Sequence, residues 1–156
     1  MATATERRAQ TGLVVGNGIS YNVKNLCATV ELAASASGTT IDFGHIPSNA
    51  RILGASRLYN DDLATSGSPT LDIGLIAVDS NITSDPDAIN DGIALSTAGS
   101  DALVVKDHAN LGLPAWDLAN GVTADPGGSF LVQGVVKDAA TTATGTITLD
   151  LYYVVD

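Results

Sequence analysis

The sequence is poor in the groups that carry chemistry. Cys27 is the only cysteine, so no disulfide can form within the chain, as suits folding in a reducing compartment. Two histidines, His45 and His108, are too few for most zinc sites, and no C-x-x-C or H-E-x-x-H pattern occurs. There is no G-x-S-x-G nucleophile elbow and no Gly-Lys pair for a phosphate loop, and Gly16-x-Gly18 lacks the third glycine of a dinucleotide site. No apolar run approaches the ~20 residues of a membrane span. The polar stretch Met1–Gln10 lacks the apolar core of a secretion signal, so none is expected. Aromatics are 4% of the chain, which argues against a broad aromatic sugar platform, and charged residues are 15%, against a usual value of about 25%.

The charge that is present is mostly negative. Seventeen acids face seven Lys and Arg, giving a net charge of −10. Binding to a duplex or an anionic lipid surface needs cations to displace counterions, so no nucleic acid and no membrane partner is expected. The balance is also uneven. Met1–Lys24 carries Arg7, Arg8 and Lys24 against Glu6, for +2, and the remainder carries −12. Only Glu6 and Glu31 are glutamates; the other acids are Asp, which favours turns and caps over helix faces.

The 156 residues suit a single domain, whose folded form buries roughly 70% of its extended surface. The expected division is an arm or hairpin over 1–24 and one sandwich domain over 25–156. Within the arm, Gly16-Asn17-Gly18 between the short apolar runs Gly12–Val15 and Ile19–Val23 is a hairpin signal. Strand signals follow at Thr29–Ala34, Thr39–Ile46, Arg51–Tyr59, Leu71–Val78, Ser129–Lys137 and Thr146–Val155, with a weaker one at Leu103–Lys106. The strongest is the last, where Ile147, Leu149, Leu151, Tyr153 and Val155 alternate with polar residues. One helix is expected at Pro86–Leu95: Asp85 suits an N-cap, Pro86 the first helical position, and Ile89 and Ile93 would share a face. Leu113–Leu118 suits a helical turn with Trp116 as its buried anchor. The expected fold is mainly β: a two-sheet antiparallel β-sandwich, jelly-roll-like, with one short helix near 86–95 and an extended N-terminal arm.

No constellation of residues carries catalysis. His45 continues the face of Ile41 and Phe43 and reads as a strand-edge histidine, and His108 falls in a polar loop. Asp61 and Asp62 are adjacent, so on a strand they would point to opposite faces and could not form a glycosidase pair. The sequence calls for no cofactor. Among metals only calcium suits the oxygen-rich stretch Asp79–Asp91, which nevertheless fails the EF-hand spacing. Phe43, Phe130 and Tyr153 fall on apolar faces, whereas Tyr21, Tyr59 and Tyr152 are candidates for exposure.

Three stretches in order carry a resemblance: Thr40-Ile41-Asp42-Phe43-Gly44-His45-Ile46-Pro47-Ser48-Asn49-Ala50-Arg51-Ile52, then Leu71-Asp72-Ile73-Gly74-Leu75, then Asp85-Pro86-Asp87-Ala88-Ile89-Asn90. With the C-terminal strand, they resemble the capsid decoration, or cement, proteins encoded in the head-gene modules of tailed bacteriophages. The resemblance implies a non-enzymatic protein, made in the host cytoplasm and bound to the outer surface of the virion's icosahedral shell. Its implied partners are the major capsid protein and further copies of itself, as a homotrimer. The cationic arm on an acidic body suits such contacts, and Arg7, Arg8, Leu13, Val14, Val15, Tyr21 and Lys24 are the expected capsid or subunit contact residues. The other reading of the same features is a carbohydrate-binding or host-attachment sandwich module of a head fibre or tail tip. A small jelly-roll hydrolase using Asp and His45 has the least support.

Overall fold

The computed structural model describes residues 5–8, 22–79, 83–102, 110, 112–119 and 122–155, with 5–8 and 101–102 as backbone alone. Its strands are β1 (Thr5–Arg8), β2 (Lys24–Leu32), β3 (Thr40–Pro47), β4 (Ala50–Ile52), β5 (Arg57–Asn60), β6 (Thr70–Ala77), β7 (Asp85–Ala94), β8 (Gly99–Ala102), β9 (Ser129–Lys137) and β10 (Gly145–Val155); a single-turn helix, α1, spans Ala115–Leu118. They form two antiparallel sheets. The first runs β1-β2-β10-β5-β8, with β4 also paired to β10, and the second runs β3-β9-β6-β7. From β2 onward the pairing is nested: β2 with β10, β3 with β9, β5 with β8, β6 with β7.

Alternation builds the core. Along β10, Ile147, Leu149, Leu151 and Tyr153 point inward, and β9 contributes Phe130, Val132 and Val136 from the facing sheet. Leu71, Ile73 and Leu75 of β6 meet them, with Phe43 and Ile46 of β3 closing one side. Burying each such side chain stabilises the fold by about 1.5–3 kcal/mol before entropy is counted. Ser129–Lys137 is a strand over the range its pattern predicts. Arg51–Tyr59 is two strands, not one, because the chain turns between them, where the Ser56 amide donates to the Leu53 carbonyl.

The helix expected near 86–95 is instead the edge strand β7. Ile89 and Ile93, four apart, suit one face of a helix, but both are buried here within a strand paired with β6. The register from Leu71↔Ile93 to Ile73↔Asn90 contains one extra β7 residue, and Gly92 has φ 87°, a conformation an α-helix does not use. Between Ile73↔Asn90 and Leu75↔Asp85, three extra residues of β7 loop outward. Gly74 lets them settle close: a Cβ there would lie 2.1 Å from the Pro86 carbonyl carbon. The Asp85 side chain, expected as a helix cap, accepts a long 3.4 Å bond from the Asp87 amide within this bulge. The short helix lies at Ala115–Leu118, within the stretch that suits a helical turn. Trp116 is half-buried there, and its amide donates to the Ser48 carbonyl.

Candidate interaction surface

The outer face of the first sheet is largely polar and mixes both signs of charge, with Glu31, Asp150 and Arg57 on it. Inward residues of β2 and β10 alternate with outward ones, and the register aligns these in rows: Thr29, Thr148 and Tyr59 in one, Cys27, Asp150 and Arg57 in the next, Asn25 and Tyr152 beyond. Hydrogen bonds tie neighbouring strands across it. The Thr29 and Thr148 hydroxyls are 2.9 Å apart, and Asn25 donates from Nδ2 to Asp150 Oδ1 at 2.5 Å. The Asp150 carboxylate accepts from the Tyr152 hydroxyl, holding that phenol's pKa above its ordinary value. Tyr59 stands out of the face at 45% exposure. Short hydroxyl side chains lose little rotamer entropy when covered.

The outer face of the second sheet differs. It carries Asp42, Asp72, Asp85, Asp87 and Asp91, with Lys137 as a cation among them. Asp72 is buried beneath β7; its Oδ1 accepts from the Gly92 amide at 3.0 Å, and Lys137 Nζ lies 3.7 Å from its Oδ2. Burial raises its pKa, and the nearby Asp91 and Asp87 add to that, while the Gly92 amide and Lys137 oppose it. Asp85 is also raised, first by burial and then by its hydrogen bond with the Asp87 side chain. Contact with a second acidic protein is therefore cheaper on the first face than on this one.

The expected contact residues are only partly within view. Arg7 and Arg8 lie on β1, opposite Asn25 and Lys24, and Lys24 opens β2 half-buried. Leu13, Val14, Val15 and Tyr21 lie outside the described residues, as do the Gly16-Asn17-Gly18 turn, Leu103–Lys106 and His108. His45 is exposed and does not share the buried face of Ile41 and Phe43: a register shift between Asp42 and Gly44 turns Ile46 inward in its place. Phe43, Phe130 and Tyr153 are buried, Tyr59 is exposed, and Tyr152 is half-buried. Asp61 and Asp62 are taken up locally. Asp61 Oδ2 accepts from the Thr146 amide at 2.7 Å and its hydroxyl at 2.9 Å, and Asp62 Oδ1 from the Ala64 amide at 3.1 Å. Among the described residues no group of three or more His, Cys, Asp or Glu side chains is placed to hold a metal ion, and no helix is long and apolar enough to cross a membrane. The outer face of the first sheet had a signal in the sequence: the polar half of the Thr146–Val155 alternation, Thr148, Asp150 and Tyr152.

The architecture is that of a two-sheet antiparallel β-sandwich with one short helix. No protein-family model matches the sequence, and no curated protein matches it. Among solved structures it is similar to a chain of the cyanophage Pam1 capsid asymmetric unit, with 21% identity and a TM-score of 0.59, over 96% of this chain and 97% of that one. The likeness is one of fold, and it covers nearly all of both chains.

Proposed function

We propose that this chain is a non-enzymatic structural protein of a phage virion, which binds the outside of the capsid and stabilises it by bridging neighbouring capsid subunits. The observation that carries this reading is the fold likeness to a chain of a phage capsid over nearly the full length of both. The nested strand pairing supports reading the sandwich as a jelly roll, an arrangement that viral capsid domains use. The partners are the major capsid protein and further copies of this chain, as a homotrimer on the shell surface. The mechanism is mechanical. Each contact across a capsomer seam is weak, several are made at once, and a protein that binds only the assembled shell shifts the equilibrium toward it. The outer face of the first sheet and the cationic arm, with Arg7, Arg8 and Lys24, are the surfaces offered for this.

The test is sedimentation of purified protein with capsids of the phage that encodes it, alongside a variant lacking Met1–Lys24. Saturable binding by the full chain, weakened in the truncated one while the truncated body still unfolds cooperatively, supports the reading. Absence of binding overturns it, and equal binding by the truncated chain removes the arm from it. The second reading, a carbohydrate-binding or host-attachment module, draws on the exposed Tyr59. Binding to a glycan array, abolished in Tyr59→Ala, would favour it.

A further inference from the structure

We propose that β1 is exchanged between copies: Thr5–Arg8 of one chain adds to the β2 edge of a second copy of this chain. This rests on the self-association in the proposed function and names the strand that joins the copies. Three observations carry it. First, β1 and β2 are connected by residues 9–23, whereas hairpin loops usually run to roughly two to five residues. A segment of that length reaches on the order of 50 Å when extended, enough to pass from one small domain to the next. Second, the β2 edge accepts a strand. β1 pairs only with Lys24–Cys27, and among the described residues no strand lies beside Ala28–Leu32 on that side. A sheet edge with free amides and carbonyls is a template for strand addition from another chain.

Third, the charge favours a second copy as the occupant. Each chain is −10 overall, so the bodies repel one another, and Met1–Lys24 carries +2 against −12 for the rest. An arm laid on a neighbour's acidic body offsets part of that repulsion, although Arg8 comes to lie opposite Lys24. The pairing is the same antiparallel register whether made within a chain or between chains, so exchange adds no new complementarity requirement. Where each copy gives its arm to the next in a closed ring, no β2 edge is left without its β1.

The register supplies the test, because Thr5 lies directly opposite Cys27. Cα atoms of directly opposed antiparallel residues are about 4.5–5.5 Å apart, within the range a disulfide spans. The full chain with Thr5→Cys is oxidised and run under denaturing, non-reducing conditions, beside light scattering of the unmodified protein. The expected result is an oligomer in solution whose chains are mostly cross-linked to one another, with that ladder absent when Cys27→Ser is added. An oligomer in which the disulfide closes within single chains overturns the exchange while sparing self-association. A monomer with the same internal disulfide overturns both. A failure to form any disulfide shows that β1 does not lie on Cys27 in either chain, and covalent dimers that form as readily with Cys27→Ser, through the introduced thiol alone, come from chance collision; each overturns the exchange.

Discussion

Gly74→Ala should damage this fold severely, and more than Gly134→Ala. A Cβ at Gly74 would lie 2.1 Å from the Pro86 carbonyl carbon and 2.3 Å from both the Asp85 and Pro86 carbonyl oxygens. Carbon atoms pack at about 3.5–4.0 Å, so the β7 backbone must retreat by more than about 1 Å. These are main-chain atoms and cannot rotate away. Overpacking costs ~1–3 kcal/mol, and the retreat also strains the Leu75↔Asp85 end of the β6–β7 ladder, each lost bond there adding about 1 kcal/mol. The expected loss is about 3–5 kcal/mol, or a fall in Tm of at least ~6 °C for a domain of this size. Gly134→Ala is the control. Its Cβ would meet Phe43 Cε2 at 3.0 Å and Leu71 Cδ1 at 3.2 Å, both side-chain ends that can shift by tenths of an ångström, for a cost of about 1 kcal/mol. Urea unfolding followed by circular dichroism, at one fixed protein concentration, measures both. A Gly74→Ala protein within about 0.5 kcal/mol of wild type, or one more stable than Gly134→Ala, would refute the packing of the β7 bulge over Gly74.

Two aspartates should give opposite pH profiles. The raised pKa of Asp72 means that its ionisation opposes folding: the cost is absent below 3.8 and grows as pH rises through the higher folded value. Asp72→Asn should therefore compare better with wild type at pH 7 than at pH 3, and equal differences at the two would count against its burial as the cause. Asp61 is lowered by the amide and hydroxyl of Thr146, so its stabilisation is complete above 3.8 and is lost as pH falls through the lower folded value. Asp61→Asn should cost stability at pH 7 and progressively less in acid, as measured by the same unfolding series. Thr141 is 1% exposed, and its hydroxyl accepts from the Ser35 amide at 2.8 Å; Thr141→Val should cost about 1–3 kcal/mol through that unpaired amide. Tyr59→Ser should leave the unfolding midpoint nearly unchanged and weaken sedimentation with capsids, whereas unchanged binding would place the contact elsewhere.

The sheets were legible where one face is buried and the other wet. Ile147 to Tyr153 alternates apolar with polar residues, Ser129 to Lys137 alternates in burial although Leu131 and Val135 are apolar on its outer side, and both are strands. Periodicity misled where the backbone inserts extra residues. Around Asp42–Gly44 the register shift moves His45 to solvent, and along β7 the Gly92 bulge and the 86–88 loop make a strand look like a capped helix. Asp85 and Pro86 suit the start of a helix in isolation, but pairing with β6 decides the outcome, a tertiary preference that local propensity does not contain. β8 escaped notice because Gly99-Ser100-Asp101-Ala102 has no apolar alternation at all; it is a strand because β5 offers it an edge. The outer face of the first sheet could be listed strand by strand, but its rows depend on β10 lying between β2 and β5, a long-range pairing that spacing along the chain does not encode.

Electron cryomicroscopy of capsids from the encoding phage, compared before and after saturation with the purified protein, tests the virion role most directly. The expected result is added density on the outer surface, fitted by this sandwich and bridging neighbouring capsid subunits. Shells that remain bare at saturating protein, or density confined to a tail or fibre, would contradict the capsid-stabilising function.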